Sequence, residues 1–454
     1  MHAPVTASPM INALRSAVDG MVWPAISNPD AARMLALQYQ FEQSQWWPVE
    51  RLRDLQLQQF AQVFRHAVAT VPYYRERFSP WAAGIASWEQ YRALPLCTRR
   101  DIQQAGNDMH STAPPPGHGA LVTTQSSGST GTPLVTRGTA WTQLLWHALL
   151  LRDHLWHRRD FSGKLAAIRT KTEDYRAPGW GAATTAFVTG PSVVRSLAAS
   201  LDDQLRWLAD ENPDYLLSFT TNLQALASRS LELGVRLPQL RQVRAYGEML
   251  RPETRGIVRE AWGVELVDSY SSEELGYIAL QCPECEHYHV QAENLIVEIL
   301  DDNGAPCAPG ETGQVVVSTL HNFAMPLLRY ASGDYAEVGM PCACGRGLPV
   351  LTRIVGRQRN MLLRLDGTRY WPSFPFESWA NIAPIEQFQV IQHERDHVEL
   401  RVVAPRDLTS AECDAMLAAL RKALDCDYRM TLVRLTQIPR AAGDKYEDFI
   451  CAAE

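Results

Sequence analysis

Between Asp30 and Phe78 apolar residues recur at helical spacing: Met34, Leu35 and Leu37, then Leu52, Leu55, Phe60, Val63 and Phe64. A period near 3.6 residues puts them on one face of amphipathic helices, so this stretch reads as a helical cover for a first subdomain, ended by VPYYRERF. Trp141 to Trp156 predicts one long helix, and LAAIRT (Leu165 to Thr170) the strand after it. Helices and short β-branched runs keep alternating through QVRAYGE and VELVDSY, the signature of α/β architecture with strands ending at motif-bearing loops. From Asn294 the pattern changes to two alternating strands, with a DDNG turn and a Pro/Gly-rich connection, which predicts a β-rich subdomain. The last stretch has its own hairpin-and-helix pattern, with a strand over His397 to Pro405 and an amphipathic helix over Ser410 to Leu424. The predicted boundary falls between Ile354 and Asn360, giving a large domain over 1–355 and a small one over 356–454.

Length agrees with this division, because 454 residues exceed one ordinary domain. With 46% hydrophobic residues there is material for a large core. Net charge is −7, and acidic and basic residues are interspersed without a polybasic run, so nucleic acid and anionic membrane are excluded as expected partners. Arg15, Asp19 and prolines interrupt the apolar residues near the start, which reads as neither signal peptide nor membrane span, and a cytoplasmic location is the expectation. Nine cysteines in such a chain argue for reduced thiols and metal ligation over a disulfide framework.

The segment Thr123 to Thr132, TTQSSGSTGT, packs Ser, Thr and Gly into a loop suited to a polyphosphate, where glycines let backbone N–H groups approach anionic oxygens and hydroxyls add further donors. It is not the GxxxxGK[ST] loop of most ATPases, since Thr132 and Pro133 follow Gly131. Downstream, in order, come DSYSSEE (Asp268 to Glu274), LLRYASGD (Leu327 to Asp334), VGRQRNMLL (Val355 to Leu363) and PRAAGDK (Pro439 to Lys445).

This series resembles the adenylate-forming superfamily, and within it the phenylacetate-CoA ligase branch with its capsule-biosynthesis and coenzyme F390 synthetase-like relatives. The motifs of that branch are SSGTTG, YGxTE, RYxTGD, GRxDDM and a late GK. The resemblance implies the α/β adenylate-forming fold with a large ATP- and acid-binding domain and a small mobile α+β lid. It also implies an AMP-forming ligase: a carboxylic acid and ATP give an acyl-adenylate and pyrophosphate, and a thiol, foremost coenzyme A, displaces AMP. Transfer to an amine or a carrier-protein thiol is the alternative within ligases, a non-catalytic nucleotide-binding protein the alternative outside them, and a homodimer is left open.

By that resemblance Ser126, Ser127, Gly128, Ser129, Thr130 and Gly131 cradle phosphates, Glu274 holds Mg²⁺, and Gly247, Glu248, Asp268, Ser269 and Tyr270 surround the adenine. Asp334 takes the ribose hydroxyls, Arg357 lies near ribose and phosphate, and Lys445 reaches the carboxylate and the α-phosphate. The sequence departs from the family pattern in places: Leu134 replaces a frequent Lys, Ser271 a Gly and Glu273 a Ser or Thr. Asp444 also splits the late GK, and Arg359 and Asn360 stand where the hinge acids fall. Without the motif order, Glu273 and Glu274 would read as caps of a helix N-terminus. The acid pocket is expected beside Trp141 to His147, Ala177 to Gly181 and Thr220 to Asn222, which suit an aryl or other compact acid. Cys282 and Cys285 in CPEC, with Cys342 and Cys344 in CACG, have the spacing of a closed structural zinc site. Related proteins leave His287 or His289 as alternatives to Cys285.

Overall fold

The computed structural model describes residues 14–125, 134–170, 172–357, 360–370, 372, 374–438 and 447–453. The chain divides into two compact units, one reaching Ile354 and the other formed by Gly333–Tyr335 with Val355–Glu454.

In the first unit, the predicted helical cover is made by Pro29–Ser44 and Val49–Thr70. Asn28 caps the first, its side chain accepting from Ala31 N at 2.8 Å. VPYYRERF does not end the helical run: Pro72 at the first helical position pre-sets φ, and Pro72–Arg77 forms another short helix. Phe60, Phe64, Tyr74, Phe78 and Tyr91 from this cover pack in one core with Ile278, Val317, Leu328 and Tyr330 of the β-rich part.

The α/β layer is a six-stranded sheet in the order Tyr175–Ala177, Ser192–Ser196, Leu165–Arg169, Tyr215–Phe219, Gln242–Tyr246, Glu265–Val267. All neighbours run parallel except the first edge strand. Its inner strands Leu165–Arg169 and Tyr215–Phe219 are mostly apolar, as a sheet covered on both faces requires, and the sheet packs against the helices Leu201–Glu211, Thr220–Leu233 and Pro252–Trp262. The β-rich part is an eight-stranded sheet in which Leu295–Leu300 pairs antiparallel with Thr312–Thr319 along its whole length. Leu121–Gln125 and Val135–Thr139 form a separate antiparallel pair that flanks the Ser/Gly segment. Its alternation of threonines with Val, Leu and Gly lacks a strong apolar period, so the sequence did not mark it.

The helix Ala140–Trp156 starts at a capping box, Thr139 with Thr142, and ends in buried charge. There Asp153, fully buried, accepts from Arg159 at 2.6 Å and faces Arg244 of the sheet at 2.7 Å. Burial alone would raise the Asp153 pKa, but the two guanidiniums hold it far below the usual carboxylate range.

The second unit is a four-stranded sheet, Arg429–Leu435, His397–Val403, Gln387–Glu394, Phe449–Cys451, with the helices Phe376–Ile382 and Ser410–Leu424. Val390, Leu400, Met416, Leu420, Trp379 and Phe449 form its core. No helix among the described residues is long and apolar enough to cross a membrane.

Candidate functional site

In an open parallel sheet, ligands bind beyond the carboxyl ends of the strands, where loops fan out. At that edge Gln242–Tyr246 gives way to Gly247, whose φ of +77° turns the chain sharply at a position that a side chain would strain. Glu248 follows, and its carboxylate accepts from Thr221 N at 2.9 Å and Thr221 Oγ1 at 2.8 Å, at the positive end of the helix Thr220–Leu233. Beside it Tyr246 stacks on Phe219 with ring centroids 4.6 Å apart. Burial pushes the Tyr246 phenol up to about 12.

The neighbouring strand Glu265–Val267 delivers Asp268, which is buried. Tyr288 donates its hydroxyl to Asp268 Oδ2 at 2.7 Å, and the Ser269 backbone N–H also favours the carboxylate. Burial raises the Asp268 pKa, and the Tyr288 bond opposes the rise. Ser269 and Tyr270, both buried, continue as the strand Ser269–Ser272, which pairs antiparallel with Gly276–Gln281.

Glu273, Glu274 and Leu275 form the turn of this hairpin and not a helix N-terminus; the strand pairing on either side fixes the outcome. Glu274 Oε1 accepts from Arg99 Nη1 at 3.3 Å, with both side chains mostly buried. The turn, through both Glu273 and Glu274, lines a small cleft of about 90 Å³ with Thr124, Thr136, Gln143, Trp146 and Asn322. Carboxylates beside the hydroxyls of Thr124 and Thr136 suit Mg²⁺, a hard cation that fills its other positions with water and phosphate oxygens.

The expected acid-pocket segments separate. Gln143 and Trp146 face this cleft, whereas Trp141, Leu144 and Leu145 line a larger groove beside the helix Pro29–Ser44. A helical repeat spreads seven consecutive residues around the axis, so Trp141 to His147 cannot share one wall. Trp180 is buried, its ring against His154, Phe161 and Tyr215.

In the second unit Arg357 Nε donates to Asp334 Oδ1 at 3.3 Å, so two motif residues far apart in sequence meet. Asn360, at the expected hinge, donates from Nδ2 to Phe449 O at 2.7 Å. Ser126, Ser127, Gly128, Ser129, Thr130, Gly131, Arg359 and Lys445 lie outside the described residues.

The cysteine corner is built at the far end of the same hairpin strand. Cys282 follows Gln281, and its N–H donates to His287 O at 2.7 Å, folding CPEC into a knuckle in which Glu284 N points at Cys282 Sγ, 3.4 Å away. The ligand atoms of Cys282, His289, Cys342 and Cys344 all lie within 4.8 Å of one another, while Cys285 groups with His287 and Cys342. Cys282 Sγ is 3.9 Å from Cys342 Sγ, and Cys344 Sγ is 3.3 Å from His289 Nε2. A tetrahedral ion with Zn–S of 2.3 Å and Zn–N near 2.0 Å calls for separations of roughly 3.5–3.8 Å, so this donor set fits zinc. Cys285 Sγ, 3.5 Å from Cys342 Sγ, stays beside the quartet. Burial, aided by the Arg346 charge, lowers the His289 pKa to about 4, which leaves the neutral imidazole that a metal needs. The CACG loop is also locked outside the cluster: Gly347 N donates to Gln45 O at 2.8 Å, and a Cβ at Gly347 would sit 1.8 Å from Trp47 O.

Two features escaped the sequence reading. Arg99 lies 175 residues from Glu274, and nothing in RRDIQQ signals the pairing. Asp153 sits in an apolar helix, LLLRDHLW, where a charged RD pair inside an apolar run was a readable sign of buried ion pairing.

No family model matches the chain. It is 25% identical over 428 residues to the phenylacetate-coenzyme A ligase of Escherichia coli (strain K12), covering 87% of this chain and 94% of that protein. With the phenylacetate-coenzyme A ligase of Thermus thermophilus it shares 25% identity over 439 residues, 88% of this chain and 96% of that one. Among solved structures, 2-hydroxyisobutyryl-CoA ligase in the postadenylation state, in complex with R3-HIB-AMP, superposes with a TM-score of 0.70 over 90% of this chain and 91% of that one, at 17% identity. The chain has the fold of the adenylate-forming superfamily and is a homologue of the phenylacetate-coenzyme A ligases.

Proposed function

We propose that the chain is an AMP-forming acid–CoA ligase. A carboxylate attacks the α-phosphorus of ATP to give an acyl-adenylate and pyrophosphate, and the thiol of coenzyme A then displaces AMP. Two anions must meet in the first step, so the site has to supply cations and oriented donors. Glu274 would hold Mg²⁺, which neutralises phosphate charge when bound. Asp268, Ser269, Tyr270, Gly247 and Glu248 would surround the adenine. Asp334 accepts from the ribose hydroxyls and is aimed by Arg357. Ser126 to Gly131 take the β- and γ-phosphates, and Lys445 bridges the carboxylate and α-phosphate. A zinc ion held by Cys282, Cys342, Cys344 and His289 would brace the knuckle without entering the chemistry. The substrate is an aryl or other compact acid.

The observation that carries this reading is the placement of Asp268 at the end of the parallel strand Glu265–Val267 and of Glu274 in the turn of the hairpin that follows, in a chain akin to phenylacetate-CoA ligases throughout most of its length. The test is product identification by mass spectrometry from ATP, a panel of acids and coenzyme A. Acyl-CoA and AMP are the expected products; amides formed only when amines replace coenzyme A would reassign the acceptor.

A further inference from the structure

Glu274 is not idle among the described residues: its carboxylate is held by Arg99 at 3.3 Å, and only 11% of the Glu274 side chain and 24% of the Arg99 side chain are exposed. The Arg99 backbone is fixed from both sides. Preceding it, Cys97 and Thr98 pair in parallel with Tyr330 and Ala331. From Arg99 onward runs the helix Arg99–Ala105, locked by a reciprocal capping box in which Asp101 Oδ2 accepts from Thr98 N and Oγ1, each at 2.7 Å. The cation that meets Glu274 is therefore presented by a rigid corner and not by a wandering surface side chain. A guanidinium and a hydrated Mg²⁺ are both drawn to the same carboxylate, and two cations held on one partly buried carboxylate repel each other.

We infer that Arg99 is a place-holding cation for the metal site: it keeps the Glu274 carboxylate aimed while the site lacks metal, and Mg²⁺ entering with ATP must displace it. This rests on Glu274 being the metal ligand proposed above. Arg99 is a positioning residue, and its role is competition: it sets how much metal is needed to fill the site.

The test uses the full-length protein with Mn²⁺ as the probe, its binding read by water-proton relaxation in the presence of ATP and absence of acid, next to the Mg²⁺ dependence of pyrophosphate exchange. Arg99→Ala should lower the Mn²⁺ midpoint by about threefold or more, as expected when a partly buried ion pair no longer competes. Arg99→Lys, which keeps a cation there, should return the midpoint toward the unmodified protein. An unchanged midpoint in a folded Arg99→Ala protein, or a midpoint that rises, overturns the inference. Glu274→Gln separates the two readings, because loss of the enzyme's Mn²⁺ signal upholds Glu274 as ligand whatever Arg99 does, and an intact signal removes that assignment itself.

Discussion

One six-residue strand, Gly276–Gln281, has a different cation problem at each end. At its start, the turn places Glu273 and Glu274 on a small cleft, with Arg99 Nη1 on Glu274 Oε1. At its finish, four soft donors from Cys282, His289, Cys342 and Cys344 already converge, with turn and backbone contacts holding them. The span is only about 20 Å at 3.3 Å per residue. A closed soft set of four leaves no position for substrate and acts as a staple, whereas one hard ligand leaves room for waters and phosphate. On the proposed reading, the same strand would carry a structural zinc at one end and an open Mg²⁺ site at the other.

The comparison is broken most severely at the staple. Cys342→Ser should release the zinc and destabilise the protein by more than about 4 kcal/mol, because ligation free energy is folding free energy; metal analysis and thermal melting check both. Cys285→Ala should retain the metal, and its loss there would move the fourth ligand from His289 back to Cys285. At the other end the effects exchange places. Glu274→Gln should slow adenylation by roughly 10²–10³-fold, an electrostatic loss of about 3–4 kcal/mol, with melting temperature unchanged. A Glu274→Gln protein that melts early would make the hairpin turn a structural element after all.

Lys445→Ala should lower kcat and kcat/KM of adenylation together by about 10²-fold, while transfer from a supplied acyl-adenylate survives. Equal loss in both half-reactions would assign Lys445 a shared role.

A buried histidine pair adds a pH slope of its own. Burial holds His157 at about 4 and His154 further below its usual value, despite the nearby Asp153 carboxylate. Unfolded, each takes a proton near pH 6.5 that the folded state refuses, so stability is full above that pH and declines as pH falls from 6.5 toward 4, by up to about 1.4 kcal/mol per unit for each. Asp153, with its pKa depressed in the fold, adds a loss that begins only below about pH 4. Denaturant melts at pH 7, 6 and 5 read this, and His157→Gln should flatten the slope between pH 6 and 5.

Much of the framework was legible because it repeats a short rule. The helix Ala140–Trp156, the strand Leu165–Arg169 and the helix Ser410–Leu424 follow apolar periodicity and lie within a residue or so of their expected bounds. The cysteine pairs were visible through spacing, with His287 and His289 as alternatives to Cys285, and the antiparallel register Leu280↔His289 sets the His289 ring beside Cys344. Arg99 with Glu274, and Asp153 with Arg159 and Arg244, were harder: long-range ion pairs leave no local period, and a turn acid looks the same in sequence whether it caps a helix or ends a hairpin. The Ser/Gly loop shows the opposite case, where composition spoke clearly but the neighbouring hairpin Leu121–Gln125 with Val135–Thr139 did not.

The central claim, activation of a carboxylic acid as its adenylate, is met most directly by exchange of labelled pyrophosphate into ATP across a panel of aryl and short aliphatic acids. At least one acid should support Mg²⁺-dependent exchange that disappears in Glu274→Gln. A folded protein that binds ATP yet supports exchange with no acid would contradict the account and leave a nucleotide-binding protein without ligase chemistry.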